Sequence, residues 1–391
     1  MISVNDAIRI VQNNIDPTSQ SEVIDVKNAF GYVLYNDITS PINMPPFRQS
    51  AMDGYALHLH NKTQYTIIGE VKAGDPLKIK LNSGEAVRIF TGAAVPQTAN
   101  AIVIQEKVTI TNNTLSFSDR ISIGDNIRPL GEQVNVGQIA LKKGTKITSA
   151  GIGFLSSLGI CELTVYSKPS ISIVVTGNEL VAPGAPLDHG QIYESNAIML
   201  LSTLNSLGYH DVKIHHVDDN YQNTLTVLDH VMTQSKVVII SGGISVGDYD
   251  FVGKALQELG VKQLFYKVKQ KPGKPLFFGQ KENTVVFALP GNPGSALSCF
   301  YIYVYQALQK LSGELNFSLI RLKALSQNEF EKKGDRAQFL KAIYKHGKVT
   351  ILEGQNSSML QSFSMANAFV FISEDSYSVS KNDEIDVILL P

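Results

Sequence analysis

Between residues 171 and 177 the chain reads Ile-Ser-Ile-Val-Val-Thr-Gly, an almost unbroken apolar and β-branched run. Such a run suits a parallel strand covered on both faces. A helical pattern follows, NAIMLLSTLNSL, closed by Gly208 where a left-handed cap is wanted. The alternation then repeats: strand VKIHHV, helix NTLTVLDHVMTQS, strand KVVIISGG, helix DFVGKALQELG, strand VVFALPG, helix SALSCFYIYVYQAL. Strand and helix in strict turn predict a doubly wound α/β domain.

The flanking pattern differs. Ser3 precedes an amphipathic run and reads as its helix cap. Residues 1–40 begin helical and continue as strand, and the three prolines within Pro41–Pro46 then break regular structure. From about 50 to 140 short strands alternate with turns: YTIIGEV, EAVRIFTG, AIVIQE and VTITNNTLSFS, whose Asn112-Asn113 suits a hairpin turn. A short helix is expected over 151–158. From about 316 onward RLKAL, QFLKAIY, KVTILEG, AFVFIS and EIDVILL predict a small β-barrel or sheet domain. At 391 residues the chain is too long for one hydrophobic core, which stops growing near roughly 250–300 residues. Three regions are expected: 1–165, with a β unit inserted at about 50–140; 166–315, the α/β domain; and 316–391.

Charge narrows the function classes. The net charge of −1 provides no field for nucleic acid or an anionic membrane surface. Cys161 and Cys299 stand far apart, in neither a C-x-x-C pair nor a His cluster, and are expected to be reduced core thiols. The amino terminus lacks the pattern of a signal peptide, and no apolar run approaches the ~18 residues that span a bilayer. A cytoplasmic protein is expected.

Chemistry should sit at the carboxyl ends of the parallel strands. VVIISGGISVGDYD offers Gly242, Gly243 and Gly247 for close backbone approach and Ser241 and Ser245 as hydroxyl donors, ahead of a helix. This reads as a phosphate-cradling loop, although Gly-rich turns are also simple tight turns, and no Gly-Lys-Ser/Thr of a P-loop follows. Asp248 and Asp250 share the loop. Asp218-Asp219 and Glu179 lie at neighbouring strand ends. Carboxylates beside phosphate imply a cation, with Mg²⁺ the default. Asp248 also reads as a helix cap, and Asp218-Asp219 as a turn start. In YKVKQKPGKPLFFG, alternation puts Lys267, Lys269 and Lys271 on one side of an extended segment, with Lys274 close by. Pro272-Gly273 and Pro275 stiffen it, and LPGNPGS adds Pro290 and Pro293. A solvated edge strand is the plainer alternative. Of the eight histidines only His215 and His216 are adjacent, and both read as strand residues. The residues themselves point to an α/β enzyme binding a phosphate or another oxyanion with Mg²⁺.

The segment PPFRQSAMDGYAL (45–57) resembles the signature of the MoeA family and of the E-domain of gephyrin and its plant relatives. The resemblance continues in order through RIFTGAAVP (88–96), AIVIQE (101–106), GDNIRPLGE (124–132), TGNELVAPG (176–184), GQIYESN (190–196), SGGISVGDYDFV (241–252), KQKPGKPLFFG (269–279) and LPGNPGSAL (289–297). It implies an elongated N-terminal scaffold with a β lid, a molybdopterin-binding α/β domain and a C-terminal β domain. It also implies a homodimer whose cleft joins the α/β domain of one protomer to the lid of the other. The implied reaction consumes adenylylated molybdopterin and molybdate with a divalent cation, releases AMP and delivers molybdenum to the dithiolene. An upstream adenylyltransferase would supply the substrate.

Carried over by motif, the family's functional positions are Asp53, Thr91, Arg128, Glu179, Asp218 or Asp219, Asp250, Lys267, Lys271, Lys274, Pro290 and Pro293. GDRAQFLKA adds Arg336, and GQNSSML adds Ser357 and Ser358. The sequence departs from the pattern in two places. Gln133 stands where many relatives carry an acid, and GDRAQ has an extra residue before its arginine, with Lys341 as the later basic position. A molybdopterin adenylyltransferase would need only the α/β domain, and a gephyrin-like scaffold would add an adenylyltransferase domain. A preference for tungstate is indistinguishable at this level.

Overall fold

The computed structural model describes residues 1–76, 78–244 and 251–391. These fall into two compact units, one of residues 1–22, 31–33 and 165–391, the other of 23–30 and 34–164.

The first unit is built on the expected doubly wound sheet. Six strands among the described residues run in the order Val212–Val217, Ile171–Thr176, Val237–Ser241, Thr284–Leu289, Phe277–Lys281 and Lys262–Tyr266. The first four are mutually parallel, and Phe277–Lys281 is antiparallel to both neighbours. Ile171–Thr176 and Thr284–Leu289 are buried at every position. That explains why they read as continuous apolar runs, since a central strand has no solvent face to encode. Helices Asn196–Ser206, Val4–Asn13 and the chain from Pro293 to Leu311 pack on one side. Tyr221–Gln234 and Phe251–Glu258 cover the other.

Local signals in this unit behave as chemistry requires. Ser3 accepts a hydrogen bond from the Asp6 amide and caps Val4–Asn13, whose Val4, Ala7 and Val11 form the buried stripe. Gly208, at φ +81°, follows the end of Asn196–Ser206. His215 and His216 lie in the strand Val212–Val217. The helix from Pro293 is interrupted by a π-helical turn at Phe300–Val304, which the sequence pattern does not announce.

The carboxyl-terminal strands close on themselves. Ala337–Lys345, Lys348–Ile351, Arg321–Ser326, Glu384–Leu389 and Ala368–Ile372 pair in sequence, and the last pairs back to the first, making a five-stranded barrel. Gln270–Lys271 adds to its edge, parallel to Ala337–Gln338.

The second unit holds the β region. Ala101–Ile104, Gly54–Leu57, Glu85–Ile89, Gln64–Val71, Thr114–Ser116 and Thr109–Thr111 form one sheet in that order. The hairpin joining the last two turns at Asn112 and Asn113, with φ of +47° and +62°. Positive φ at both turn positions matches the right-handed twist of the flanking strands, and Asn tolerates it.

Two expectations fail. Cys161 is exposed and only Cys299 is buried, because Cys161 falls between a helix end and the strand Glu162–Tyr166 rather than inside either. The lysine alternation also breaks. The strand Lys262–Tyr266 ends before Lys267, which takes φ +67°, so 267–271 is not one extended segment. Lys269 pairs with Asp335 at 3.2 Å, and the Lys267 ammonium lies 4.8 Å from the Tyr266 ring centroid.

Candidate active site

The strand order reverses between Ile171–Thr176 and Val237–Ser241, and a doubly wound sheet opens a crevice at that point. A cavity of about 820 Å³ lies there. Glu179, Asp219, Ser241, Gly242, Gly243, Pro290, Pro293 and Ser358 line it, so eight of the residues singled out in the sequence converge. A second cavity of about 820 Å³ lies at the amino ends of the strands, beside Asp16, Lys168, Asp211 and Lys236. It carries no Gly-rich turn, and the switch-point cavity is the chemical candidate.

Each wall of that cavity is held by a specific bond. The amide of Asn178 donates to Asp219 Oδ2 at 3.2 Å, and the amide of Asp219 donates to Asn178 Oδ1 at 2.9 Å. This reciprocal clasp joins the ends of two adjacent strands and turns Asp219 toward the cavity. Asp218 is not among the lining residues. Asn196 donates through Nδ2 to Ser241 Oγ and to the Gly291 carbonyl, both at 2.8 Å, tying the other two walls together. Gly242 has φ +93°, and a Cβ there would stand 2.7 Å from the Thr176 carbonyl oxygen. Only glycine fits so close an approach in that conformation. The Thr176 hydroxyl is buried and has no hydrogen-bond partner among the described residues.

The loop 354–359 forms the barrel's side of the site. Ser357 Oγ accepts from Asn292 Nδ2 at 3.0 Å, and its carbonyl accepts from the Ser295 amide at 3.2 Å. Lys341, 4% exposed, donates to the carbonyls of Gly354 and Met359 at 2.7 and 3.0 Å, and burial lowers its pKa.

Lys271 and Lys274 flank the turn at Pro272-Gly273, and both are exposed. Neither amino group has a partner among the described residues. Arg336 reaches this turn, with Nη1 3.4 Å from the Gln270 carbonyl. Lys271 also lines a small cavity of about 190 Å³ with Gln338 and Gln355. Lys267 lines neither cavity. Ser245, Gly247, Asp248 and Asp250 lie outside the described residues.

Asp53, Thr91 and Arg128 belong to the second unit. Asp53 Oδ1 accepts from the Thr91 amide at 2.7 Å and from its hydroxyl at 2.6 Å. These bonds, the hydroxyl's first, hold the Asp53 carboxyl below its ordinary pKa. The sequence offers no local reason for an acid at position 53; the structure supplies one from 38 residues away. Arg128 is paired with Gln49 in a two-residue antiparallel bridge, so PPFRQSAMDG and GDNIRP meet.

Sequence reasoning passed over Thr176, Asn196 and Asn292. Each sits inside a quoted motif, and a polar side chain at the carboxyl end of a buried strand, or at the start of the next helix, was the available signal.

Among the described residues no three His, Cys, Asp or Glu side chains cluster as a metal site. Mg²⁺ takes one or two carboxylates and completes its shell with water and substrate phosphates. The pairing of Asp219 and Glu179 at one cavity fits that donor set.

A Gly-lined crevice at the switch point, with free cationic groups on a nearby turn, defines an α/β protein whose crevice has the chemistry to receive a small anionic ligand. Comparison with known proteins identifies it more closely. Residues 2–159 match "MoeA N-terminal region (domain I and II)", 172–310 match "Probable molybdopterin binding domain" and 323–390 match "MoeA C-terminal region (domain IV)". A molybdopterin molybdenumtransferase of Haemophilus influenzae is 32% identical, over 99% of this chain and 98% of its own. One from a Nostoc species is 29% identical, over 100% and 94%. The crystal structure of a molybdopterin biosynthesis MoeA protein from Pyrococcus horikoshii superposes with a TM-score of 0.86 at 28% identity, covering 100% of both chains. The chain belongs to the MoeA family of molybdopterin molybdenumtransferases.

Proposed function

We propose that this transferase of molybdenum cofactor biosynthesis inserts molybdate into adenylylated molybdopterin and releases AMP in a Mg²⁺-dependent step, the last of the pathway. The reading is supported above all by the switch-point cavity, where Gly242 and Gly243 leave room for phosphate and Asp219 and Glu179 face the same space. Asp219, together with Asp250, would hold Mg²⁺, which when bound neutralises phosphate charge. Ser241 and the backbone at Pro290 and Pro293 bound the pterin and nucleotide. Lys271, Lys274 and Arg336, with Ser357 or Ser358, take the tetrahedral oxyanion. Arginine serves through its rigid donor fork and lysine as a point charge. Water attacks the phosphoanhydride, its P–O bond breaks and AMP leaves from the phosphate end. At the other end of the pterin the two dithiolene thiols bind molybdate as Mo–S bonds replace Mo–O, the displaced oxygen leaving as water with the thiol protons.

The protein acts as a cytoplasmic homodimer in this reading. Asp53, Thr91 and Arg128 of one protomer complete the partner's site. A molybdopterin adenylyltransferase stands upstream as the source of the substrate. The test is incubation with adenylylated molybdopterin, molybdate and Mg²⁺, scoring AMP and the activation of a cofactor-free molybdoenzyme. AMP without active cofactor, or neither, refutes the proposal.

A further inference from the structure

Lys271 and Lys274 carry like charges on long, flexible stems. A shaped oxyanion site needs their Cα–Cβ directions set by the backbone, because lysine itself has no rigid fork. The turn between them is closed from within. Gln270 is fully buried. Its Nε2 donates to the Gly273 carbonyl at 3.1 Å and to Cys299 Sγ at 3.4 Å. The Tyr303 hydroxyl donates to its Oε1. A backbone carbonyl can only accept, which fixes which end of the amide faces Gly273. Cys299 Sγ lies 3.8 Å from that same carbonyl, and burial pushes its thiol up to about 12, so it remains an S–H donor. Gly273 has φ +84°, and a Cβ there would stand 2.3 Å from Cys299 Sγ.

Cys299 and Tyr303 come from the helix that starts at Pro293. They are four residues apart, and Tyr303 lies in the π-helical turn Phe300–Val304. π-turns are uncommon and recur at functional sites. The amino end of this helix, at Asn292 and Pro293, forms a wall of the cavity. One rigid element therefore touches both the cavity and the inside of the lysine turn.

We propose that Gln270, Cys299 and Tyr303 are positioning residues that hold Lys271 and Lys274 in register for a tetrahedral oxyanion. The inference rests on the function proposed above, in which that oxyanion is molybdate. A buried polar set in which every group is satisfied specifies one geometry, and loss of one member loosens the rest.

Tyr303→Phe deletes one hydroxyl and keeps the buried ring; Gln270→Met keeps the volume and deletes the amide. For each folded variant the KM for molybdate should rise about tenfold, the scale of one buried hydrogen bond. The kcat and the KM for adenylylated molybdopterin should stay within about twofold. Tungstate binding, measured by calorimetry on wild type and variants without any other substrate, should weaken in parallel. Unchanged molybdate KM and tungstate affinity in both variants would overturn the proposal. So would a uniform loss of both KM values and kcat, which marks a merely structural role. A wild type that binds tungstate but releases no AMP sinks the functional reading alone, and the tungstate comparison still decides this one. A wild type that binds no tungstate overturns the inference.

Discussion

Asp53 and Thr91 are joined twice, through the threonine amide at 2.7 Å and its hydroxyl at 2.6 Å, both to the same carboxylate oxygen. One acidic oxygen thus serves the fold of the β unit. Because the bonds stabilise the charged form, they contribute stability above the ordinary carboxylate pKa. That stability is lost as pH falls through the lowered value. Thr91→Val removes the hydroxyl but not the amide. The Asp53 pKa, followed by carboxyl-carbon NMR, should then move up toward its ordinary value. An unmoved titration contradicts the assignment.

Asp219 lines the cavity and Asp218 does not. Asp219→Asn should cut Mg²⁺-dependent AMP release roughly 100-fold, the scale on which metal-site partners act, with the fold intact. Asp218→Asn should change it only about twofold. Equal losses in the two variants would place the cation elsewhere.

The proposed sharing of the site between two protomers can be tested by subunit mixing. Asp53→Ala and Asp219→Ala homodimers should each be nearly inactive. After exchange, half the dimers are mixed and each has one intact site of two, so recovery of up to about a quarter of wild-type activity follows. A mixture as inactive as its parents, with exchange proven by mass tagging, would put both residues in one protomer's site.

Lys341 holds the loop of Ser357 and Ser358 by donating to the carbonyls of Gly354 and Met359. Lys341→Met keeps the stem and removes the donor to the Met359 carbonyl, while the Gly354 carbonyl keeps the Ser362 hydroxyl at 2.7 Å. The loss should be about 1–3 kcal/mol, the scale of a hydrogen bond from a charged group. Scanning calorimetry should show a clear fall in melting temperature. A variant as stable as wild type would show that the loop is held by other contacts.

Cys161 is exposed and Cys299 is buried with its pKa pushed up to about 12. Iodoacetamide should therefore modify one thiol per native chain and two after unfolding, counted by mass spectrometry. Rapid loss of both thiols in the native state would contradict the buried network around Gln270.

The strand–helix alternation from residue 171 to 258, the Ser3 cap, the Asn112-Asn113 turn and the five carboxyl-terminal strands were legible in the sequence. Beyond 258 the alternation gives way to three successive strands of the sheet, Lys262–Tyr266, Phe277–Lys281 and Thr284–Leu289. Periodicity, capping and turn chemistry are local, and a central strand such as Thr284–Leu289 announces its burial by having no polar face. The motifs likewise placed Glu179, Ser241, Gly242, Pro290 and Ser358 among the candidates. Relations between distant segments were not legible. The acceptor role of Asp53 needs Thr91, 38 residues on. That Asp219, rather than Asp218, lines the cavity goes with the bond from Asn178, 41 residues before it. The break in the lysine series at Lys267 and the buried closure of the Gly273 turn depend on packing that no local pattern records. Hydrogen bonds between residues far apart in the chain form only when the sheet brings its strand ends together, and only the tertiary structure decides which polar groups then face one another.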